Sequence, residues 1–333
     1  MKLDIPISHQ RSAIALFSGG LDSLIAVKWM QRLGYTIYPV YFQTPYMPSD
    51  RAILSATSND IKLIIRDISA EHLAMMRNPA FGFGKNLNPC VDCHALMFKV
   101  AGVMLYELGA GFMISGEVLG QRPMSQRRDA LNLVGKLSEC KDLIVRPLSQ
   151  KLLSDTLPIR ENWVTKGDLL DFNGRSRNRQ IELARELGVV EYPHPAGGCL
   201  LTDRNYTLRL RDLIDHEQLD SSNLELLKYG RHFRIGKHLK LIVGRDEQEN
   251  IELEKLGANM YQILAKDHMG PLGIITGDPG ENLELVTSIF LYYVTKAPDI
   301  ASVRIKSPQQ EILSVNVYKA PQELVKSHRL SYD

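Results

Sequence analysis

Nowhere in its 333 residues does the chain approach the roughly 20 uninterrupted apolar residues of a membrane span. The first residues, Met1-Lys-Leu-Asp-Ile-Pro, offer no apolar signal core, so a cytoplasmic protein without membrane association is expected. Cysteine is scarce: four residues in a cytoplasmic-looking chain do not suggest a disulfide scaffold, and they suggest metal binding, catalysis or plain burial. Charge of one sign is also missing. The net charge of +2 excludes a histone-like protein. Residues 1–199 hold 23 basic and 19 acidic side chains and residues 200–333 hold 17 and 19, so a nucleic acid would have to be gripped by local clusters. There is no internal repeat and no low-complexity linker.

What is present is a core-forming composition, 44% apolar and 23% charged. Ser12–Phe17 reads as a buried strand. A helix follows from about Asp22, with Leu24, Val27, Met30 and Leu33 at helical spacing and Gly34 as its stop. Further strands are expected at Ile37–Phe42, Ile61–Arg66, Phe112–Ser115 and Leu143–Arg146, with helices at Ala95–Leu108 and around Leu131–Leu137. Alternating strands and helices with near-continuous apolar strands predict an α/β fold: a five-stranded parallel sheet covered on both faces. Residues 150–200 read as helical and then loop-like, ending in Tyr192-Pro-His-Pro-Ala-Gly-Gly-Cys199. Beyond Tyr206 the pattern changes to a helix at Leu208–Leu227, a hairpin at Phe233–Val243 turning at Gly236-Lys237, and strands at Ile274–Thr276, Ala301–Ile305 and Ile312–Tyr318. This predicts two domains, 1–205 and a smaller α+β domain, 206–333.

Between the first strand and its helix stands Ser18-Gly19-Gly20-Leu21-Asp22-Ser23. Two glycines let the backbone approach an anion closely, the helix start presents unpaired N–H groups, and Ser18 and Ser23 add hydroxyl donors. Asp22 beside phosphate implies a bridging Mg²⁺. The plainer alternative is a turn with Asp as helix cap. The Lys-Ser/Thr ending of a Walker loop and the third glycine of a Rossmann fingerprint are both missing.

Asn88-Pro-Cys90-Val-Asp-Cys93-His94 is a Cys-x-x-Cys-His string. It also fits haem attachment, which would need export, and a thioredoxin-type pair, whose usual place is already taken by the glycine loop. As a metal site it needs a third thiol, and Gly197-Gly198-Cys199 provides one. Cys90, Cys93 and Cys199 would hold a 4Fe–4S cluster with one iron left open; a structural Zn²⁺ would add His94 or His194 as fourth ligand. Cys140 stands alone.

The glycine loop resembles that of the PP-loop ATPases, the N-type ATP pyrophosphatases. The order glycine loop, Asn-Pro-Cys, Gly-Cys resembles the tRNA thiolases of that superfamily. Ile114-Ser-Gly-Glu-Val-Leu-Gly-Gln121 with Ser125-Gln126, and Val145-Arg-Pro-Leu148, resemble segments of tRNA 4-thiouridine synthetases. The three cysteines resemble those of the iron–sulfur 2-thiouridine synthetases. The resemblance covers about residues 12–203. It implies an adenine nucleotide α-hydrolase-like fold, ATP contacts at Ser18, Gly19, Gly20, Asp22, Ser23, Phe42, Gln43, Gly116 and Gln121, and catalytic roles for Asp22, Cys90 and Cys199. The activity implied is adenylation of a tRNA uridine carbonyl oxygen with release of pyrophosphate, then sulfur transfer from sulfide or a cysteine desulfurase persulfide. Glu117 stands where those synthetases carry Asp. Homodimers are common in that family, and no residue here demonstrates one.

Two basic clusters are candidates for tRNA phosphate: Arg122, Arg127 and Arg128, and the alternating Arg175, Arg177 and Arg179. In the second domain, Arg231, Arg234 and Lys237 precede Val243-Gly-Arg-Asp-Glu-Gln-Glu-Asn250, which resembles the RNA-binding module of ribosome quality-control proteins (the NFACT type), with Asp246 in place of its first Asn. Two other readings stay open: a PP-loop ligase or amidotransferase acting on a small molecule with structural zinc, and a non-catalytic RNA-binding factor.

Overall fold

The computed structural model describes residues 6–84, 86–122, 125–193 and 199–332. Two compact units are present, Met1–Cys199 and Leu200–Asp333. His194, Gly197 and Gly198 lie outside the described residues.

The first unit alternates strand and helix: β1 (Ser12–Leu16), α1 (Leu21–Arg32), β2 (Thr36–Gln43), α2 (Asp50–Ser58), β3 (Ile64–Asp67), α3 (Ser69–Arg77), α4 (Cys90–Leu108), β4 (Phe112–Ser115), α5 (Arg128–Leu137), β5 (Ile144–Val145), α6 (Leu157–Arg160) and α7 (Asn178–Glu186). The five strands form one parallel sheet in the order β3-β2-β1-β4-β5. Strand alternation explains why no face is polar. Ala13 and Ala15 of β1 pack on the α1 side, with Val27, Met30 and Phe112. Ile14 packs on the other side, with Phe98, Ala101 and Met104 of α4 and Val134 of α5.

Ala13 pairs with Ile37 of β2 on one side and with Phe112 of β4 on the other. The chain leaves β1 in one direction and returns on its opposite flank, so the strand order reverses between β1 and β4. In open α/β sheets ligands bind at such a point, beyond the carboxyl ends of the strands.

Some expectations shift. The third strand starts at Ile64, not Ile61. The helical stretch expected after residue 150 is mostly turns: three-residue 3₁₀ segments at Gln150–Leu152 and Lys166–Asp168, and the single turn of α6. Pro147, Pro158 and Gly167 interrupt any longer helix there.

The second unit comprises α8 (Arg204–Asp215), α9 (Ser221–Leu226), β6 (Arg231–Gly236), β7 (Leu239–Val243), α10 (Glu247–Leu256), β8 (Tyr261–Ala265), β9 (Gly273–Thr276), α11 (Leu283–Tyr292), β10 (Ile300–Lys306), β11 (Ile312–Tyr318) and α12 (Gln322–His328). Its six strands form an antiparallel sheet, β11-β10-β8-β9-β7-β6. The apolar face of α11 packs on this sheet through Val286, Ile289 and Phe290. The helix expected over Leu208–Leu227 is two helices. Asp220 accepts from the backbone of Asn223 and caps the second one, which stops the first from continuing. Among the described residues no helix is long and apolar enough to cross a membrane.

Candidate active site

The glycine loop joins β1 to α1 at the reversal point. Gly19 has φ +75, and a Cβ there would stand 2.8 Å from Cα of Ala52. Only glycine allows this turn to lie so close to α2, where the Ser55 hydroxyl donates to Gly19 O at 2.7 Å. The two loop serines face each other, their hydroxyl oxygens 3.2 Å apart, and Ser23 also donates to Gly20 O at 2.8 Å.

Asp22 is on the first turn of α1. Its Oδ2 accepts from Gln121 Nε2 at 2.7 Å and from Arg177 Nη2 at 3.0 Å. Its Oδ1 is buried and has no hydrogen-bond partner among the described residues. Gln121 is itself oriented by Gln180 of α7, whose Nε2 donates to Gln121 Oε1 at 3.0 Å.

Gly116, just past β4, closes the other wall. A Cβ at this residue would stand 2.5 Å from the carbonyl carbon of Asp22 and 2.6 Å from the Ser23 nitrogen. The next residue, Glu117, is buried and at the centre of a cluster. Its Oε2 accepts from Arg146 Nε at 2.8 Å and from the Ser115 hydroxyl at 3.0 Å, and its Oε1 lies 3.2 Å from His94 Nδ1. Burial opposes its charge, but Arg146 and His94 outweigh burial and take the carboxyl down to about 2.

His94 places the cysteines. Cys90 and Cys93 lie on the first turn of α4, one turn apart and therefore on one face. Asn88 Nδ2 donates to Cys90 Sγ at 3.2 Å. Cys93 Sγ is 3.3 Å from Nε2 of His72, on α3. Burial, then Cys199, then Cys90 push the Cys93 thiol up. Cys199 acts electrostatically on Tyr41 too, which burial first of all raises to about 12. The structure therefore brings the third cysteine into the range of the other two. None of the four cysteines is in a disulfide. Cys140 is elsewhere, packed over Gly102 of α4.

Cys93, whose thiol burial and the two neighbouring cysteines push up, suits an electropositive centre, which would relieve that opposition to its charge. A single ion fits less well. Among the described residues no three His, Cys, Asp or Glu side chains are grouped to hold one metal ion, and His94 is engaged with Glu117. Three thiols without a fourth ligand are a donor set that a 4Fe–4S group with one iron left open can use.

One expected nucleotide contact is placed differently. Phe42 is 3% exposed within the core on the α4 side of the sheet, because strand alternation turns position 42 inward; it offers no free face to a base. Gln43, beside it, accepts from the Ser49 hydroxyl at 2.8 Å.

The basic residues divide. Arg122 and Arg175 are exposed. Arg127 is exposed and paired with Asp129 at 2.7 Å, and Arg128 donates to Leu152 O at 2.9 Å. Arg179 pairs with Asp171 at 2.6 Å. Arg177 turns to the glycine loop. In the second unit Lys237 is exposed at the hairpin turn. Arg231 donates to Gly244 O and lies over the Tyr293 ring. Arg234 is not a surface arginine: it holds Asp212 through two nitrogens, at 2.9 and 2.5 Å, and Lys240 Nζ lies 3.1 Å from the same carboxylate. In the Val243–Asn250 segment Asp246 caps α10, Glu249 gathers the backbone N–H groups of Gly230 and Arg245, and Asn250 accepts from the Leu272 N–H.

His72 is a residue that sequence reasoning missed. It is buried, and burial holds its pKa down to about 4. Its spacing, four residues from buried Ile68 and from buried Met76, is the signal that would have placed it on an inward face.

Residues 8–151 match the family model of the thiamine biosynthesis protein (ThiI). Residues 230–329 match that of the NFACT protein RNA binding domain. A curated relative from Methanosarcina mazei, named "Probable tRNA sulfurtransferase", is 30% identical over 248 residues, which are 69% of this chain and 53% of that protein. The chain thus spans about half the length of that relative. Among solved structures, a 4-thiouridine synthetase in complex with RNA and bound ATP is 19% identical at a TM-score of 0.35, covering 54% of this chain and 51% of its own. The U34-tRNA thiolase NcsA from Methanococcus maripaludis, solved with its [4Fe-4S] cluster, is 14% identical at a TM-score of 0.34, covering 65% and 69%.

Proposed function

We propose that this chain is an ATP-dependent tRNA uridine thiolase. The observation that carries the proposal is one run of contacts. Cys93 is followed by His94, which is bonded to Glu117; Glu117 follows Gly116, which packs on the backbone of Asp22 in the glycine loop. A nucleotide loop and a thiol-bearing helix start thus flank the end of β4. That juxtaposition suits a reaction in which a carbonyl oxygen is activated by ATP and then replaced by sulfur. The matches to the ThiI model in the first unit and to the NFACT RNA binding model in the second support the same reading.

In this reading the loop Ser18–Ser23 receives the phosphates of ATP through backbone N–H groups and the two serine hydroxyls. Asp22 would hold the nucleotide's Mg²⁺ through its free Oδ1. The uridine carbonyl oxygen attacks the α-phosphate and pyrophosphate leaves, so the oxygen departs later as part of AMP when sulfide attacks the same carbon. Each turnover converts one C=O to C=S and one ATP to AMP and pyrophosphate. Cys90, Cys93 and Cys199 would hold a 4Fe–4S cluster, which would bind sulfide brought by a separate donor and present it without being consumed. The Glu117–Arg146–His94 cluster fixes the end of β4 between the two halves of the site. Exposed Arg122, Arg127, Arg128 and Arg175 on the first unit, and Lys237 with Arg231 on the second, are the candidate tRNA contacts.

The test combines anaerobic iron and sulfide analysis with pyrophosphate release. About four irons and four sulfides per chain are expected, lost in Cys90→Ala, Cys93→Ala and Cys199→Ala and kept in Cys140→Ala. Pyrophosphate release should require tRNA. Zinc in place of iron would remove the cluster. Release driven by a small molecule and indifferent to tRNA would replace the thiolase with a ligase.

A further inference from the structure

The glycine loop contains no cation. Its six residues are Ser, Gly, Gly, Leu, Asp and Ser, and its one ionisable group is negative. A nucleotide triphosphate is a polyanion, and the Walker loop that binds one brings a lysine. Here positive charge reaches the loop from the far end of the unit: Arg177, 155 residues after Asp22, sets Nη2 3.0 Å from Asp22 Oδ2.

Arg177 is held there by its surroundings. It stands at the N-terminal boundary of α7. The segment before it is tied to the segment after β4: Asn173 bridges Leu119, and Gly174 donates its N–H to Leu119 O at 2.8 Å. Gln180, on the first turn of α7, orients Gln121, which meets the same oxygen of Asp22. The guanidinium has capacity to spare. Its side chain is only 21% exposed, and its Nε is buried with no partner among the described residues. A buried, unpaired guanidinium N–H beside a loop suited to anions is costly unless something accepts from it.

We infer that Arg177 is a phosphate-binding residue of the nucleotide site, engaging the β- and γ-phosphates as a charge-assisted fork, and is not an RNA contact. The inference rests on the reading of Ser18–Ser23 as a nucleotide loop. It divides the arginine-rich segment in two: Arg175, exposed, faces solvent, whereas Arg177 serves the loop. Lysine could supply the charge but not the planar pair of donors.

The experiment measures binding of MgATP, AMP and tRNA to the full chain by calorimetry, for wild type, Arg177→Ala, Arg177→Lys and Arg175→Ala. Arg177→Ala should weaken MgATP by about tenfold, the worth of one charge-assisted hydrogen bond, while AMP, which lacks the β- and γ-phosphates, binds as before. Arg177→Lys should recover part of the loss, and Arg175→Ala none should be seen in. Unchanged tRNA affinity in Arg177→Ala completes the expected result. Wild-type MgATP affinity in Arg177→Ala, an equal loss for AMP and MgATP, or a loss confined to tRNA would each overturn the inference while leaving the nucleotide loop intact. A wild-type protein that binds neither MgATP nor AMP would overturn the loop reading, and this inference with it.

Discussion

His94 Nδ1 and Glu117 Oε1 lie 3.2 Å apart, joining the helix that bears the cysteines to the strand end that walls the glycine loop. Neither residue belongs to the loop or to the thiols, yet their contact fixes the spacing between the two. Glu117 is also held by Arg146, so the carboxylate is shared by α4 and by the segment after β5.

Acid should unfold the first unit through this carboxylate. The Glu117 carboxyl is held at about 2 in the fold and returns to about 4.5 when unfolded. Its folded pKa is depressed, so it contributes stability that is fully present above pH 4.5 and is lost as the pH falls toward 2. The shift corresponds to about 3 kcal/mol. Urea unfolding at descending pH, followed by tryptophan fluorescence, measures it, because both tryptophans, Trp29 and Trp163, lie in the first unit. Glu117→Gln should be less stable at pH 7, having left Arg146 buried without its partner, and should lose less of its remaining stability on acidification.

Gly116→Ala should damage the loop without touching any nucleotide-binding side chain. The added Cβ would meet the backbone of Asp22 at 2.5 Å, and backbone cannot move aside as a flexible side chain can. A stability cost of about 1–3 kcal/mol is expected. MgATP affinity should fall by about tenfold or more even in the folded fraction, since the helix start that would bind phosphate is displaced. Calorimetry on the variant, beside its urea curve, separates the two effects.

The second unit should be sensitive at Asp212. Its carboxylate neutralises Arg234 and buried Lys240, whose pKa burial lowers to about 8. Asp212→Asn leaves two cations without their counter-charge, and a loss of about 3–5 kcal/mol is expected. Far-ultraviolet circular dichroism during thermal unfolding would report it as an early transition, with tryptophan fluorescence from the first unit unchanged.

Lys237 and Arg234, three residues apart in one hairpin, should behave differently toward RNA. Lys237→Ala should leave stability unchanged and, if this face meets a phosphate, reduce the salt slope of tRNA binding by about 1. Arg234→Ala should destabilise the unit, with the slope unchanged in protein that remains folded. Equal slope changes in both variants would place Arg234 on the RNA.

Much of this site is legible in the chain because its parts are local. The glycine loop needs only a strand, two glycines and a helix start in sequence, and β1 and β4 lie close to where periodicity puts them, whereas α4 begins at Cys90, ahead of the expected Ala95. The pairing of Arg177 with Asp22 is not local, and no spacing rule joins residues so far apart. The pairing of Arg234 with Asp212 is not legible for another reason. Phe233 packs on one side of β6, and an alternating polar residue is ordinarily exposed, but here α8 covers the other side and supplies Asp212. Phe42 misled in the reverse sense, since the end of a strand covered on both faces still points every second side chain into the core.

The position of β1 also sets an order of events in folding. β2 follows β1 after a single helix, but β4, its other neighbour, arrives only after β2, β3 and α2–α4. Parallel pairing across so much intervening chain is slow, because the loop must close before the contacts reward it. The hairpins β6–β7 and β10–β11 of the second unit form between neighbours. The glycine loop gains its second wall, Gly116, only when β4 docks. A chain refolding from the denatured state should therefore form the hairpins of its second unit before it has a competent nucleotide site, and a destabilising change between β2 and β4 should be felt first as lost nucleotide binding.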